Sequence, residues 1–244
     1  MWGTATCHLS LLTEKNPKFI EHGLNSLHAI IEDEWPQIAD QIDLICSLTK
    51  DNFSPNIKRN AALLASKTFY HLGKLNEAVE YAIIAGDMFD ISQRDDNFTS
   101  TIIAHVVHTY ISSKQQDSET ENQIAYKAAL KKIVDEVLSN LFESGNESNF
   151  ASCLCLAIEA GSLEFVKKTL SQRPSLVYNA AVITMNTVID SKYRQSLLQL
   201  FTEFAENYPE HCNLFQLSQL YHARQDSKSI ADLLFRLRST DDKW

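Results

Sequence analysis

Between Ser54 and Gly86 the chain uses one device twice, a run of small and apolar residues at helical spacing closed by a glycine. In the first run Ser54, an N-cap residue type, precedes Pro55, and Ala62, Ala65, Phe69 and Leu72 recur at three- and four-residue intervals up to Gly73. In the second run Leu75, Ala78, Ala82 and Ala85 do the same up to Gly86. So short a link between two helices predicts an antiparallel hairpin, with Gly73 in the positive-φ conformation that ends a helix. Alanines on the facing sides let the two backbones approach closely. The order Leu72-Gly73-x-Leu75-x-x-Ala78, followed by Ala82 and Ala85, is that of a tetratricopeptide-like hairpin. Such a hairpin cannot bury its apolar surface alone, and stacking against like hairpins is the usual solution.

The composition fits this reading. Only 6 Gly and 5 Pro occur in 244 residues, too few turn residues for an all-β chain of this size. A hydrophobic share of 44% with 22% charged residues is enough for a core. Pro17, Pro36, Pro55, Pro174 and Pro209 are each expected at a helix start, where the missing N–H has no partner to lose. Pro17, Pro36 and Pro55 are 19 residues apart, which predicts helices of about four turns with short connections.

A weaker copy of the hairpin lies 88 residues further on, with Gly161, Leu163, Val166 and Leu170 in the places of Gly73, Leu75, Ala78 and Ala82. A third turn is expected from Arg224 to Asp226, between Leu217-Leu220-Tyr221 and Ile230-Leu233-Leu234, although it has no glycine. Ile102, Val106 and Tyr110 mark one further helix; Ile124, Ala128, Val134, Val137, Leu138 and Leu141 mark another. The segment 112–122 has no apolar residue and is expected to be a polar flexible loop. It divides the chain into hairpin arrays 1–111 and 123–244, the second continuing the first. The expected fold class is all-α, a right-handed α-solenoid (rod) of stacked antiparallel helical hairpins, tetratricopeptide-like.

With 22 Lys and Arg against 31 Asp and Glu the formal charge is -9, and the basic residues form no runs. That field repels nucleic acid and anionic membranes, so neither is expected as a partner. The longest uncharged run, Ser175 to Ile189, is too short to span a bilayer and is expected to be a buried helix. No secretory signal is visible at Met1-Trp2-Gly3-Thr4, so a cytoplasmic and nuclear location is expected. The five cysteines Cys7, Cys46, Cys153, Cys155 and Cys212 lack metal-site spacing and read as thiols of core or surface. Asn-x-Ser/Thr triplets at Asn52, Asn97 and Asn146 are then chance matches.

No nucleophile elbow, phosphate loop, C-x-x-C or H-E-x-x-H motif occurs. His105 and His108 share a helix face at i, i+3 but have no third ligand nearby, and packed or surface histidines are the expected reading. Cys153 and Cys155 point about 200° apart on a helix and cannot share an ion. Glu32-Asp33-Glu34, expected to end a helix before Trp35-Pro36, and Asp95-Asp96 could belong to an all-helical metal-dependent transferase. That chemistry needs carboxylates repeated on facing helices, whereas Asp87 and Asp90 fall in an expected loop beside Gly86. Tyr70, Tyr81 and Phe89 could line a peptide groove, but core packing is preferred because Phe69 and Leu72 lie so close. No catalytic, cofactor-binding or metal-binding residue is assigned, no cofactor or small-molecule substrate is expected, and no partner-binding residue is singled out.

The run Ala61-Ala62-Leu63-Leu64-Ala65-Ser66-Lys67-Thr68-Phe69-Tyr70-His71-Leu72-Gly73 strongly resembles the N-terminal region of the largest non-ATPase scaffold subunit of the proteasome regulatory particle, in the proteasome/cyclosome-repeat family. The likeness continues through Tyr81-Ala82, Ala85-Gly86-Asp87-Met88-Phe89, Thr101-Ile102-Ile103-Ala104 and His108-Thr109-Tyr110. Leu27, Ala29, Trp35 and Ile38 fit it upstream; Ala157-Ile158-Glu159, Leu163 and Tyr193-Arg194 fit it more thinly downstream. The firm part runs from Phe19 to Tyr110. The resemblance implies a noncatalytic organiser, with other regulatory-particle subunits as partners and a role in ubiquitin-dependent degradation. In that family the helical rod precedes a ring of glycine- and alanine-rich repeats, which these residues do not reach, so ring and tail functions are not carried over. The alternative expectation is a free-standing tetratricopeptide-like adaptor that binds short peptides.

Overall fold

The computed structural model describes residues 4–50, 52–92, 96–113 and 121–239. Among them are thirteen α-helices, three single 3-10 turns and no strand, so the all-α expectation holds. The chain forms two compact units, Met1–Val134 and Asp135–Trp244.

The first unit contains α1 (Thr4–Leu11), α2 (Pro17–Ala39), α3 (Ile42–Ser47), α4 (Pro55–His71), α5 (Leu75–Ala85), α6 (Asn97–Ser113) and the start of α7 (Glu121–Glu143). Asn16 caps α2 by accepting from the Lys18 N–H, and Ser54 caps α4 by accepting from the Ile57 N–H. Along α2 one stripe, Ile20, Leu24, Leu27, Ile31 and Ile38, is buried against Leu9, Leu12, Ile45, Ile57 and Leu64. Gly23 sits where α1 crosses: a Cβ there would lie 3.0 Å from the His8 carbonyl oxygen and 3.1 Å from Leu11 Cβ.

Pro36 corrects the sequence reading, because it lies inside α2 near its C-terminal end and does not open a helix. The Glu32-Asp33-Glu34 cluster is likewise interior to α2. A proline in a helix interior removes one backbone hydrogen bond and typically costs about 3 kcal/mol. Here its ring is exposed, while the buried stripe continues past it to Ile38. The even spacing of Pro17, Pro36 and Pro55 therefore does not mark three helix starts. Pro17 and Pro55 do open α2 and α4, whereas Pro174 and Pro209 open the 3-10 turns Pro174–Leu176 and Pro209–His211.

Hairpin α4/α5 has the expected close approach. Ala61, Ala62, Ala65, Ala78, Ala82 and Ala85 are buried, and the Ser66 hydroxyl donates to the Ala78 carbonyl at 2.7 Å across the helices. Helices α2 and α4 run parallel, because their polar partners advance together: Asn56 donates to Glu21 at 3.5 Å, Asn60 to Asn25 at 2.7 Å, and His71 lies 3.7 Å from Glu32. In α7 the buried stripe starts at Leu130 and includes Val134, Val137, Leu138 and Leu141; Ile124 and Ala128 are exposed, contrary to the expected start. Of the expected loop 112–122, residues 112 and 113 belong to α6 and 121 and 122 to α7, while 114–120 lie outside the described residues.

The second unit holds the rest of α7 and three hairpins: α8 (Glu147–Ala160) with α9 (Leu163–Gln172), α10 (Val177–Thr187) with α11 (Ser191–Asn207), and α12 (Leu214–Ala223) with α13 (Ser227–Ser239). Helix α10 packs on α8 and α12 on α10, which makes a stack. Its core includes Leu154, Ala157, Val166, Leu170, Ala181, Leu198, Phe201 and Leu220. The uncharged run from Ser175 supplies α10, with Val177, Ala180, Ala181 and Thr184 buried. The Tyr193 hydroxyl donates to the Ile158 carbonyl at 3.1 Å, tying α11 to α8, and the Tyr178 hydroxyl donates to Gln219 at 2.5 Å, tying α10 to α12.

Three turns close hairpins with one hydrogen-bond pair. Gly73 N–H donates to Tyr70 O and Lys74 N–H to Phe69 O; Gly161 donates to Ile158 and Ser162 to Ala157; Gln225 donates to His222 and Asp226 to Tyr221. This is the helix-ending pattern in which one residue takes positive φ. The three angles are 72°, 70° and 58°. The turn without glycine is thus the same turn, built on a glutamine.

Candidate interaction surface

The sequence candidates for chemistry separate in space. His105 and His108 lie side by side with ring centroids 6.4 Å apart, and His105 Nε2 is 2.8 Å from the Asn76 side-chain oxygen, so this pair joins α6 to α5. Asp96 accepts from the Phe98 N–H and the Thr99 hydroxyl at the start of α6, while Asp95 lies outside the described residues. Asp87 is in the 3-10 turn after α5, 3.8 Å from Arg59, and Asp90 accepts from Ser92. Among the described residues no three His, Cys, Asp or Glu side chains come together as metal ligands. An all-helical metal-dependent transferase needs such a cluster, so that reading has no support here.

Two of the five cysteines, Cys153 and Cys212, are buried, and Cys7 is exposed. Cys153 is buried, with Sγ 3.7 Å from the Leu138 carbonyl and 3.6 Å from the Thr169 hydroxyl, and burial pushes its thiol above the ordinary range. Cys155 is half-buried, and all five cysteines are free. A low-pKa thiolate is what reactive cysteines need, and Cys46, Cys153, Cys155 and Cys212 are all shifted upward, chiefly by burial.

The aromatic residues are absorbed into packing as well. Tyr81 stacks on Phe69 at 5.4 Å, Tyr70 meets Phe98 edge-on at 5.4 Å, and Phe89 meets Phe98 edge-on at 5.9 Å. Desolvation raises the Tyr81 phenol strongly. The core-packing alternative is therefore the one realised, which removes the motive for a peptide groove at this hairpin.

What remains on the outside is apolar surface. The last hairpin exposes Leu214 and Phe215 at the start of α12, and Leu234 and Phe235 at 58% and 76% in α13. Of the apolar residues named after the expected turn at Arg224 to Asp226, Leu233 is buried, but Leu234 faces outward. A second feature missed from sequence is the polar seam of Glu21, Asn25, His28 and Glu32 along α2. Its i, i+4, i+3, i+4 spacing was present, but only the neighbouring α4 reveals that it faces another helix.

The chain matches the family described as "26S proteasome subunit RPN2, N-terminal domain" over residues 3–244. It is similar to "26S proteasome non-ATPase regulatory subunit 1" of Drosophila melanogaster, 29% identical over 94% of this chain and 22% of that protein. It is also similar to "26S proteasome regulatory subunit RPN2" of Saccharomyces cerevisiae, 26% identical over 98% of this chain and 26% of that protein. With "26S proteasome non-ATPase regulatory subunit 1 homolog A" of Arabidopsis thaliana it shares 26% identity over 96% of this chain and 24% of that protein. The chain thus spans about a quarter of the length of the curated relatives it matches. The likeness extends beyond the Phe19 to Tyr110 segment into both helical units, and the chain belongs to the family of RPN2 N-terminal domains.

Proposed function

We propose that this chain acts as a noncatalytic scaffold segment of the proteasome regulatory particle, organising neighbouring subunits for ubiquitin-dependent protein degradation. The observation that carries this reading is the family match over residues 3–244. The stacked hairpins support it, because they offer extended surface to other proteins, as helical arrays do. Its partners on this reading are other regulatory-particle subunits, and its place is the cytoplasm and nucleus. It works without cofactor or small-molecule substrate, and nucleic acid and membranes are not among its ligands. Among the described residues no helix is long and apolar enough to cross a membrane.

The test is affinity purification of the tagged chain from cells of its own source, followed by sedimentation and protein identification. Co-migration with regulatory-particle subunits is expected. Recovery of no proteasome subunit, under conditions where a tagged regulatory-particle subunit brings down the rest, refutes the proposal.

A further inference from the structure

Pro36 interrupts the hydrogen bonding of α2, and one residue of α4 grips the helix at the interruption. Proline has no N–H, so the Glu32 carbonyl receives no bond from residue 36. His71, the last residue of α4, meets α2 there twice. Its ring stacks on Trp35 with centroids 5.7 Å apart and planes 6° from parallel, and its Nε2 is 3.7 Å from the Glu32 carboxylate. The closing turn of α4 holds His71 in place, with the Gly73 N–H donating to Tyr70 O and the Lys74 N–H to Phe69 O around it.

The two sides of the interruption are packed separately. Before it, α2 buries Ile20, Leu24, Leu27 and Ile31, and Asn25 and His28 are bonded to Asn60 of α4. After it come the last turn of α2 and the short α3, which packs on α4 and buries Ile45, with Ile38 and Leu48 buried on either side. The backbone bonds that link this second part are long: Asp40 N–H to Pro36 O and Ile45 N–H to Gln41 O are both 3.3 Å, against the usual value of about 2.9–3.0 Å. Two packed segments joined where a helix bond is missing form the geometry of a hinge.

We infer that α2 carries a hinge between Glu32 and Pro36, and that His71 is the latch that sets how often the segment 36–48 swings away from α4. Opening at this point breaks no helix bond from residue 36, since none exists. It requires only that the Trp35–His71 stack, the Glu32 contact and the apolar contacts of Ile38, Ile45 and Leu48 part. Such an opening is local, and it leaves residues 17–31 packed on α4.

Hydrogen exchange of the full chain, followed by mass spectrometry, reads the hinge directly. His71→Ala is expected to speed exchange in residues 37–48 by more than about tenfold, and in residues 17–31 and 55–68 by less than about twofold. Trp35→Leu breaks the same stack from the side of α2 and should give the same pattern. His71→Phe keeps a flat ring against Trp35 and should stay within about threefold of the unaltered chain. Pro36→Ala restores the N–H at residue 36, so in the His71→Ala background it should remove most of the increase. An equal rise in all three segments makes His71 an ordinary packing residue, no rise in 37–48 removes the latch, and a rise that Pro36→Ala leaves untouched removes the hinge. Each of these three results overturns the proposal.

Discussion

His28 Nε2 lies 3.1 Å from the backbone carbonyl oxygen of Asn60, joining α2 to α4 inside the first unit. A carbonyl only accepts, so the ring nitrogen that faces it is the protonated one, and neutral His28 satisfies the contact. Burial holds its pKa below the ordinary 6.5, and the nearby Lys67 ammonium acts in the same direction. Asn60 itself donates to Asn25, so one asparagine closes the two central contacts of the seam.

The pH dependence follows from that depressed pKa. Between its folded value and 6.5 the unfolded chain binds more protons than the folded one, so stability rises with pH. This contribution is fully present above 6.5 and is lost as pH falls through the folded value. Melting temperature followed by circular dichroism should therefore fall from pH 7 to about pH 5. His28→Gln, which keeps an N–H donor, should flatten part of that acid limb. An unchanged slope would remove His28 as its cause.

The crossing of α1 over Gly23 gives a second expectation. With the His8 carbonyl at 3.0 Å and Leu12 Cδ2 at 3.2 Å from a Cβ position, no branched side chain fits without moving α1. Gly23→Val should release α1, which buries Ala5 and Leu9, while the α4/α5 hairpin stays folded. Hydrogen exchange should then lose protection in residues 4–12 by more than about tenfold, with little change in residues 55–85. Equal loss in both segments would mean that α1 and the hairpin unfold as one body.

Local rules made the hairpins legible and failed wherever a neighbouring helix decided the outcome. The turns at Gly73 and Gly161 were readable because glycine is the residue that takes positive φ without strain, and Ser54-Pro55 because both residues suit a helix start. Pro36 misled for the same reason: its local signal is a boundary, yet burial of Ile38 carries α2 through it. Ile124 and Ala128 have helical spacing but are exposed, so periodicity placed them in a core they do not enter. Periodicity finds the helix but not which neighbour faces it, and the outward face of α13 was illegible for that reason. Leu233 and Leu234 are chemically equal in sequence, and only the packing of α12 against α13 separates them.

Tyr193 should behave as a late-titrating phenol. Burial pushes it up to about 12, and its hydroxyl donates to the Ile158 carbonyl. In an ultraviolet titration Tyr193→Phe should remove one of the tyrosines that ionise above the ordinary range near 10. The same change should lower stability by about 1 kcal/mol through the lost hydrogen bond. Loss of a tyrosine that titrates at its ordinary value would show that the ring is not held against α8.

The three equivalent turns predict opposite responses to substitution. Gly73 has φ of 72° and open space where a Cβ would go, so Gly73→Val meets no clash and its penalty is conformational. Left-handed backbone in an L-residue costs about 1–2 kcal/mol, more for a β-branched one, which should lower the melting temperature by several degrees. Gln225 already bears such a penalty at φ 58°. Gln225→Gly should therefore raise the stability of the second unit by about 1 kcal/mol, less the extra freedom glycine gains when unfolded. Differential scanning calorimetry of both variants distinguishes this account from one based on side-chain contacts. If Gly73→Val leaves its transition unmoved, or Gln225→Gly lowers its own, the shared turn geometry is not what holds these hairpins closed.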